Sequence, residues 1–275
     1  MAIDGLEVLQ SGSVTLVAFD PSWLGVYADQ IGGGQVAPHT PGEALTNSNA
    51  SAVLDGPEFD NCSGQSLPSG NAGYASSTCS VIRFSQLDAA RGVQLAGSNP
   101  GQGVTISVVN GQAVATPGDA PAPGASVAVQ LWPPLVSGGV IVASDDGSNA
   151  TAEQRAALVI LGDGRLAFAS GAADMVGFAN ALINAGATDA GYTDGGGSGA
   201  LWLSDGTTYG ANPPRRVATW LTAAPPGTLA SATPIGWVDV LVGALVVVLA
   251  AGAVYVATRP APAPTRRTST ARRTR

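Results

Sequence analysis

A carboxylate, three glycines and a serine follow one another in the segment Asp194 to Ser198. Consecutive glycines permit positive φ and a close approach of the backbone to a ligand, and successive N–H groups can form an anion-binding concavity. The Asp194 carboxylate could act as a base or hold a sugar hydroxyl. The segment therefore predicts either a loop that contacts an anion or a sugar, or a tight structural turn. It is not a P-loop, because the Gly-Lys-Ser/Thr ending is absent.

The elements around this segment place it at one end of a sheet. A helix is predicted over Asp174 to Ala185, where apolar residues recur at i, i+3, i+4, i+7 and i+8. Gly186 supplies its left-handed C-terminal stop. A strand is expected between this helix and the segment, and another at Ala200 to Ser204. Because a flexible spacer is not expected between two core strands, we predict a loop of defined shape.

The rest of the first 223 residues predicts a large sheet. A short helix is expected to lead from Pro41 into a buried strand at Ala52 to Leu54, and Asn110-Gly111 gives a hairpin signal. Other strands are expected at 14–20, 26–31, 80–84, 92–96, 104–115, 126–132, 155–170 and 215–223. The predicted fold class is α+β (mixed α/β), a sheet-rich single domain with helices packed on the sheet, plus one C-terminal transmembrane helix.

Charge and composition exclude some classes of partner. Residues 1–235 carry eighteen Asp and Glu against six Arg, and the chain has no Lys. This acidic balance argues against nucleic acid as a partner, because binding a polyanion requires cationic side chains. One His and two Cys argue against a zinc site, so no metal or cofactor is predicted. His39, alone in a Pro-flanked loop, is expected at the surface rather than as a base.

An apolar run near the C-terminus predicts contact with a lipid bilayer. Residues 240–257 carry no charge, and the run extends back to Ile235 with only Asp239 interrupting it. This length spans a bilayer core, so 235–258 is predicted to be a transmembrane helix, with a buried core helix as the alternative. The predicted organisation is a domain at 1–222, an Ala/Pro/Thr linker at 223–234, the helix, and an Arg-rich disordered tail at 259–275.

The arginines of the tail predict the orientation of that helix. The positive-inside rule places the tail in the cytoplasm and the main domain outside the cell membrane, as a single-pass protein. The first residues show neither a basic nor an apolar region of a signal peptide. Two explanations remain: the true start lies upstream of Met1, or the helix is a tail anchor that leaves the domain inside. We favour the first.

The two cysteines bracket a polar loop rich in Gly, Ser and Asn. A disulfide between Cys62 and Cys79 would stabilise a loop of this size by about 3 kcal/mol. Such a bond implies an oxidising compartment. Two free thiols are the alternative, and the disulfide is the favoured prediction.

From about Val14 to Ala223 the order of motifs resembles the phosphodiester glycosidase family. The most specific part is "FANALINAGATDAGYTDGGGSG", which is similar to the family's "L-A-x-L-L-x-x-L-G-A-x-x-A-L-N-L-D-G-G-G-S-S". Weaker likenesses are carried by "VTLVAFDPSWLGVYA", "SAVLDGPEFD", "WPPLVSGGVIV", "RAALVILGDGRL" and "RRVATWLTA". The resemblance implies a sheet-rich hydrolase that acts on a sugar phosphodiester or polysaccharide.

Carried over by position, the resemblance assigns the pocket. It comprises Asp194, Gly195, Gly196, Gly197 and Ser198, with Arg155 and Arg216 nearby. The departures are Asp55 in place of Asn, Pro57 and Glu58 in place of Gly and Phe, Ala156 in place of Thr or Ser, and Gly199 in place of the second Ser. These changes put activity in question more than fold.

The implied reaction is hydrolysis of a sugar 1-phosphodiester, N-acetylglucosamine-like, in a surface or secreted glycan. Asp194 would stabilise the oxocarbenium-like centre or activate water, and Asp55 would be the second carboxylate. Arg155 and the loop amides would hold the phosphate. Structural alternatives are an exposed acidic turn for Asp55, Glu58 and Asp60, and solvated or salt-bridging roles for both arginines. The alternative function is a non-catalytic carbohydrate-binding or structural surface protein.

Overall fold

Antiparallel strands dominate the computed structural model, which describes residues 3–32, 35–61, 80–211 and 214–229. These residues belong to one compact unit, Met1–Ala232. The described residues form two α-helices, α1 (Pro41–Ser48) and α2 (Met175–Asn184). Their strands are β1 (Glu7–Ser11), β2 (Val14–Phe19), β3 (Leu24–Tyr27), β4 (Asp29–Gly32), β5 (Gln35–Ala37), β6 (Ala52–Asp55), β7 (Phe59–Asn61), β8 (Ser80–Ile82), β9 (Gln86–Asp88), β10 (Val93–Leu95), β11 (Val104–Val109), β12 (Gln112–Pro117), β13 (Val127–Leu131), β14 (Pro134–Ser137), β15 (Val140–Ile141), β16 (Glu153–Leu161), β17 (Leu166–Ala173), β18 (Ala187–Gly195), β19 (Ala200–Leu203), β20 (Thr208–Gly210) and β21 (Trp220–Ala223).

Within these ranges the strands form four sheets. The largest has seven strands in the order β1-β2-β17-β16-β18-β14-β15. Two sheets have five strands each, in the orders β10-β9-β13-β11-β12 and β20-β19-β6-β21-β3, and a four-stranded sheet has the order β4-β5-β8-β7. Strands that are distant in the sequence are therefore neighbours, as where β6 pairs with both β19 and β21.

Helix α2 covers one face of the seven-stranded sheet. Its buried residues are Met175, Phe178, Ala179 and Leu182, which pack against apolar side chains of β2, β16 and β17. The Asp174 side chain caps the helix by accepting from the Gly177 N–H at 2.6 Å. Gly186 follows with φ of 94°, so the chain turns directly into β18, the strand that carries Asp194.

The opposite face of that sheet contributes to the central core. Buried residues from β16 and β17, Leu158 and Phe168 among them, cluster with apolar residues of both five-stranded sheets. Phe168 packs edge to face on Phe19 at 4.7 Å between ring centroids. All pairs among the described strands are antiparallel, and β6 is buried throughout while β18 is mostly buried, so both strands end within packed parts of the domain.

Helix α1 lies against the sheet that contains β6. Its first residues form a capping box, in which Thr40 and Glu43 bond reciprocally to each other's backbone N–H. Ala44 of the helix clusters with Val53 of β6 and Trp220 of β21, all buried. The helix therefore supports β6 from the side, close to the point where that strand ends at Asp55.

Most local predictions are confirmed. The sheet-rich α+β class, the α2 helix and the hairpin at Asn110-Gly111, whose φ angles are 51° and 76°, are present. The last strand is shorter than expected and begins at Trp220, since Val217 forms only an isolated bridge with His39. His39 is mostly buried rather than on the surface, with its side chain 14% exposed.

Other predictions fall outside the described ranges. Cys62 and Cys79 lie there, and so do the transmembrane helix 235–258 and the tail 259–275. Within the residues that the structure does describe, no helix has the length and apolar character needed to cross a membrane.

Candidate functional site

Strand β18 delivers Asp194 to the site through a β-bulge. The strand pairs with β16 so that Ala157 faces Tyr192 while Arg155 faces Gly195. Two steps along β16 thus match three along β18, which leaves one extra residue in β18 between Tyr192 and Gly195. A bulge redirects side chains and is common beside active sites, and here it shapes the strand end that presents Asp194.

The glycine-rich loop is a turn of defined shape. Gly196 adopts φ of 56° and donates its N–H to the Gln154 carbonyl at 2.8 Å. The Ser198 N–H donates to the Gly195 carbonyl at 3.0 Å, and the Gly195 N–H donates to Asp194 Oδ1 at 2.7 Å. These three amides are therefore used within the protein and are not available to a phosphate in this conformation. That the loop amides hold a phosphate therefore stays a prediction.

Asp194 is a partly exposed residue whose carboxyl group has an unusual pKa. Desolvation raises its pKa to about 6, and the nearby Glu58 carboxylate acts in the same direction. Hydrogen bonds from the Gly195 N–H and the Ser198 side chain, together with the charge of Arg215, oppose this rise. A carboxyl group with this pKa changes its protonation near neutral pH, which suits a catalytic acid or base, and its ionised form can stabilise a positive centre.

Asp55 lies beside Asp194 but has no exposed surface. Its Oδ1 accepts from the Ala200 N–H at 3.1 Å, and its Oδ2 accepts from the Thr193 hydroxyl at 3.3 Å. Burial raises its pKa well above the usual range, and the charge of Asp194 adds to the rise. The alternative of an exposed acidic turn is therefore wrong for Asp55. Its side chain joins β6, β18 and β19 behind Asp194.

Glu58 supplies a second carboxylate at the site with access to solvent. Its backbone N–H donates to the Thr193 carbonyl at 3.0 Å, next to Asp194. Its Oε2 accepts from Arg83 Nη1 at 2.7 Å, and the two side chains are 27% and 35% exposed. The charge of Glu58 raises the pKa of Asp194. The geometry thus gives Glu58, rather than Asp55, the accessible position.

Tyr192 adds a buried phenol to the same cluster. Its side chain is 7% exposed, and its hydroxyl lies so close to Gly195 that a Cβ there would be 2.0 Å away. Desolvation raises the pKa of Tyr192, and the charge of Asp194 raises it further. The phenol therefore stays protonated and can only donate or accept a hydrogen bond beside the carboxylates.

The arginine at the glycine loop is Arg215 and not Arg216. A Cβ built on Gly197 would lie 2.4 Å from Arg215 Nε, so the guanidinium rests against the loop. Arg216 instead reaches α1, where its Nη2 lies 2.8 Å from Glu43 Oε2 and its Nε donates to the Pro38 carbonyl. Adjacent residues of an extended segment point to opposite sides, which explains why one of the two faces the site.

Arg155 pairs with Gly195 at the start of the loop, but its side chain bonds to backbone carbonyls. Its side chain is 3% exposed and donates to the carbonyls of Ala173, Asn149 and Thr151 at 3.1, 3.4 and 3.1 Å. Its guanidinium also lies 5.9 Å from the centre of the Tyr192 ring. These bonds connect the turn before β16 to the end of β17. Arg155 therefore has a structural role, which was the alternative to phosphate binding.

The structure thus brings Asp194, the glycine loop, Ser198 and Asp55 together and leaves Arg155 and Arg216 with structural partners. Tyr192 and Arg215 were not among the predicted site residues, and Glu58 was predicted only as a departure from the family pattern or as part of an exposed acidic turn. Tyr192 could have been identified as a site residue from its position two residues before Asp194. For Arg215 the signal was ambiguous, because two arginines are adjacent.

Replacing Arg215 by glutamine is expected to raise the pKa of Asp194 above 6. The reason is that the cation which favours the ionised carboxylate is removed. A ¹³C NMR titration of the aspartate carboxyl carbons measures this directly. The matched control is Arg216→Gln, because Arg216 pairs with Glu43, and it should leave the Asp194 titration in place. An unchanged Asp194 pKa in Arg215→Gln would contradict the proximity of the two groups.

Comparison with known proteins shows the family to which this chain belongs. The sequence pattern of the phosphodiester glycosidase family matches residues 49–223, more than half of the chain. No curated protein matches the sequence. Among solved structures, the catalytic domain of zebrafish N-acetylglucosamine-1-phosphodiester alpha-N-acetylglucosaminidase, auto-inhibited by its pro-peptide, is similar with a TM-score of 0.55 and 15% identity. The match covers 80% of this chain and 81% of that one, and it shows the fold.

Two more distant structures also match. A hypothetical protein from Synechocystis has a TM-score of 0.45 at 15% identity, covering 79% of this chain and 61% of that one. A putative exported protein from Burkholderia pseudomallei has a TM-score of 0.42 at 14% identity, covering 77% and 74%. With the sequence match spanning β6 to β21 and the glycine loop within it, the chain belongs to the phosphodiester glycosidase family.

Proposed function

We propose that this protein is a hydrolase that cleaves the glycosidic bond of a sugar 1-phosphodiester. In that reaction the bond between C1 and the bridging oxygen breaks, water supplies the new C1 hydroxyl, and a phosphate monoester leaves. The observation that carries the proposal is Asp194, a partly exposed residue at the end of a bulged strand whose carboxyl group has a pKa of about 6. Membership of the family supports the same reaction class.

The leaving group determines what the protein must provide. A phosphate monoester leaves readily, so protonation of the leaving oxygen is needed less than in hydrolysis of an ordinary glycoside. The main requirement is an anion near the oxocarbenium-like centre and a base for the attacking water. Above pH 6 Asp194 is mostly ionised and can serve in either role. Glu58 is the nearby carboxylate that takes the remaining role.

The phosphate requires a cation at the same site. Arg215 rests on Gly197 and acts electrostatically on Asp194, so it is the arginine best placed to bind an anionic group beside that carboxylate. Arginine suits this task because its planar guanidinium offers two parallel donors to phosphate oxygens. Asp55 is assigned a positioning role, because it is fully buried and bonded to Ala200 and Thr193.

An N-acetylglucosamine-like sugar in a surface or secreted glycan is proposed as the substrate. The zebrafish protein is named for that sugar phosphodiester, and the proposal extends its chemistry to this chain. The full chain should convert N-acetylglucosamine 1-(methyl phosphate) into equal amounts of free sugar and methyl phosphate. Absence of both products would contradict the proposal, and binding without turnover would favour a non-catalytic carbohydrate-binding protein.

We also propose that residues 235–258 anchor the protein in the cell membrane, with the domain outside and the Arg-rich tail in the cytoplasm. The uncharged run at 240–257 and the six arginines after it support this orientation. Protease added to intact cells should then digest the domain. Digestion that requires permeabilised cells would support the opposite orientation.

A further inference from the structure

Trp132 is an unusual residue on the surface of this domain. Its side chain is 41% exposed, whereas the other exposed large apolar side chains in the described ranges are all valines. Trp132 lies beside buried Phe84 in a parallel, offset arrangement, with 6.4 Å between ring centroids and 15° between ring planes. An exposed indole supported by a second ring has a large apolar surface available to a ligand.

Two connections place this indole beside the carboxylate cluster. The backbone N–H of Trp132 donates to the Tyr192 carbonyl at 3.2 Å, and the backbone N–H of Tyr192 donates to the Pro133 carbonyl at 3.0 Å. Trp132 is therefore fastened to β18 two residues before Asp194.

The second connection runs through Phe84. Phe84 directly follows Arg83, whose Nη1 donates to Glu58 Oε2 at 2.7 Å. Glu58 in turn donates its backbone N–H to the Thr193 carbonyl at 3.0 Å. The pair of Trp132 and Phe84 therefore lies next to the part of β18 that contains Thr193, on the side where Arg83 and Glu58 form their ion pair.

The backbone beneath the indole is held in place by Gln130. Its Oε1 accepts from the Ser85 N–H at 2.8 Å, and its Nε2 donates to the carbonyls of Asn99 and Gln102 at 2.9 Å each. The side chain is 1% exposed. These bonds connect the end of β13, which leads into Trp132, to Ser85, the residue after Phe84. The platform is therefore preorganised, which reduces the entropy lost on binding.

We infer that the exposed face of Trp132 binds a pyranose ring of the substrate. The C–H groups on one face of a pyranose form an apolar surface that fits an indole, while the hydroxyls at the ring edge remain available to polar groups. The neighbouring carboxylates and arginines provide such groups on one side of the platform. This inference rests on the proposed function and adds a specificity residue to it.

Binding is tested separately from turnover. The full chain carrying Asp194→Asn is labelled with 5-fluorotryptophan, and the Trp132 resonance is assigned from its loss in Trp132→Phe. Titration with N-acetylglucosamine 1-(methyl phosphate) should shift that ¹⁹F resonance and leave the resonance of Trp202, which packs on the α1 side of the domain, in place. Turnover by the wild type with no shift at Trp132, either with this substrate or with a phosphodiester that carries a sugar aglycone, would overturn the platform alone. A shift without wild-type turnover would support the platform and contradict the proposed reaction.

Kinetics provide the second readout. Trp132→Ala should raise KM about tenfold or more with little change in kcat, as expected when an aromatic stacking surface is lost. Trp132→Phe should retain most of the affinity, and Trp202→Phe is the control for a tryptophan outside the site. Comparison of two substrates identifies which ring binds. If Trp132→Ala raises KM equally for the methyl phosphodiester and for a phosphodiester with a sugar aglycone, the glycosyl ring lies on Trp132. If KM rises only for the second substrate, the aglycone ring lies there. Unchanged KM for both substrates in a folded Trp132→Ala protein would overturn the inference.

Discussion

Replacing Asp194 by asparagine is expected to reduce turnover of a sugar 1-phosphodiester by about 10²- to 10⁴-fold, the range for loss of a positioned acid–base group. Asparagine has nearly the same shape and can still accept from the Gly195 N–H, so the loop should be retained. What is lost is the negative charge next to the reacting centre. The measurement is kcat/KM for the full chain and its Asp194→Asn variant.

The pH dependence of turnover distinguishes this role from a structural one. Because the pKa of Asp194 is about 6 and its ionised form is the active one, wild-type activity should rise with pH and be half-maximal near pH 6. The residual activity of the variant should lack this dependence. Asp205→Asn is a suitable control, since Asp205 lies in an exposed turn and accepts from the Thr207 N–H. Equal activity in wild type and Asp194→Asn would contradict the assignment.

Replacing Asp55 by asparagine is expected to stabilise the protein at high pH. The folded-state pKa of Asp55 is raised, so the folded protein retains a proton that the unfolded chain releases above its ordinary pKa. The free energy of unfolding therefore falls as pH rises from the unfolded pKa towards the folded one, by about 1.4 kcal/mol for each unit of difference. Asparagine has no such proton, and this loss of stability should be absent in the variant.

The comparison with alanine separates charge from hydrogen bonding. Asn Oδ1 can accept from the Ala200 N–H, and its amide can donate to the Thr193 hydroxyl oxygen. Alanine leaves both groups unbonded and should cost about 1–3 kcal/mol for each buried group at every pH. Urea unfolding of the three proteins at pH 5 and pH 8 measures both effects. If Asp55→Asn gains no stability relative to the wild type between pH 5 and pH 8, the raised pKa of Asp55 is wrong.

Local patterns in the sequence predicted the elements well because they depend on neighbouring residues. The apolar spacing from Met175 to Ile183 predicts α2, and Asn110-Gly111 predicts its hairpin through positive φ at both positions. The position of the glycine segment between two predicted strands indicated a loop of defined shape, and the bonds of Gly196 and Ser198 confirm that shape.

The partners within the site could not be predicted in the same way. The burial of Asp55 follows from the pairing of β6 with β19 and β21, which are about 150 residues away in the chain. The bulge in β18 shifts the strand by one residue, and a shift of one residue reverses the side to which a side chain points. The choice between Arg215 and Arg216 depends on the same alternation. Such features arise from sheet order and register, which composition and spacing do not specify.

The most direct test of the proposed chemistry is the fate of the oxygen from water. Hydrolysis of N-acetylglucosamine 1-(methyl phosphate) by the full chain in H₂¹⁸O should place the label on C1 of the sugar and leave methyl phosphate unlabelled. The reason is that the oxygen of water ends on C1, the carbon from which the phosphate leaves, and not on phosphorus. Mass spectrometry of both products, analysed before the sugar exchanges its anomeric oxygen, gives the answer. Label in the methyl phosphate would mean attack at phosphorus and would contradict a glycosidase reaction centred on Asp194.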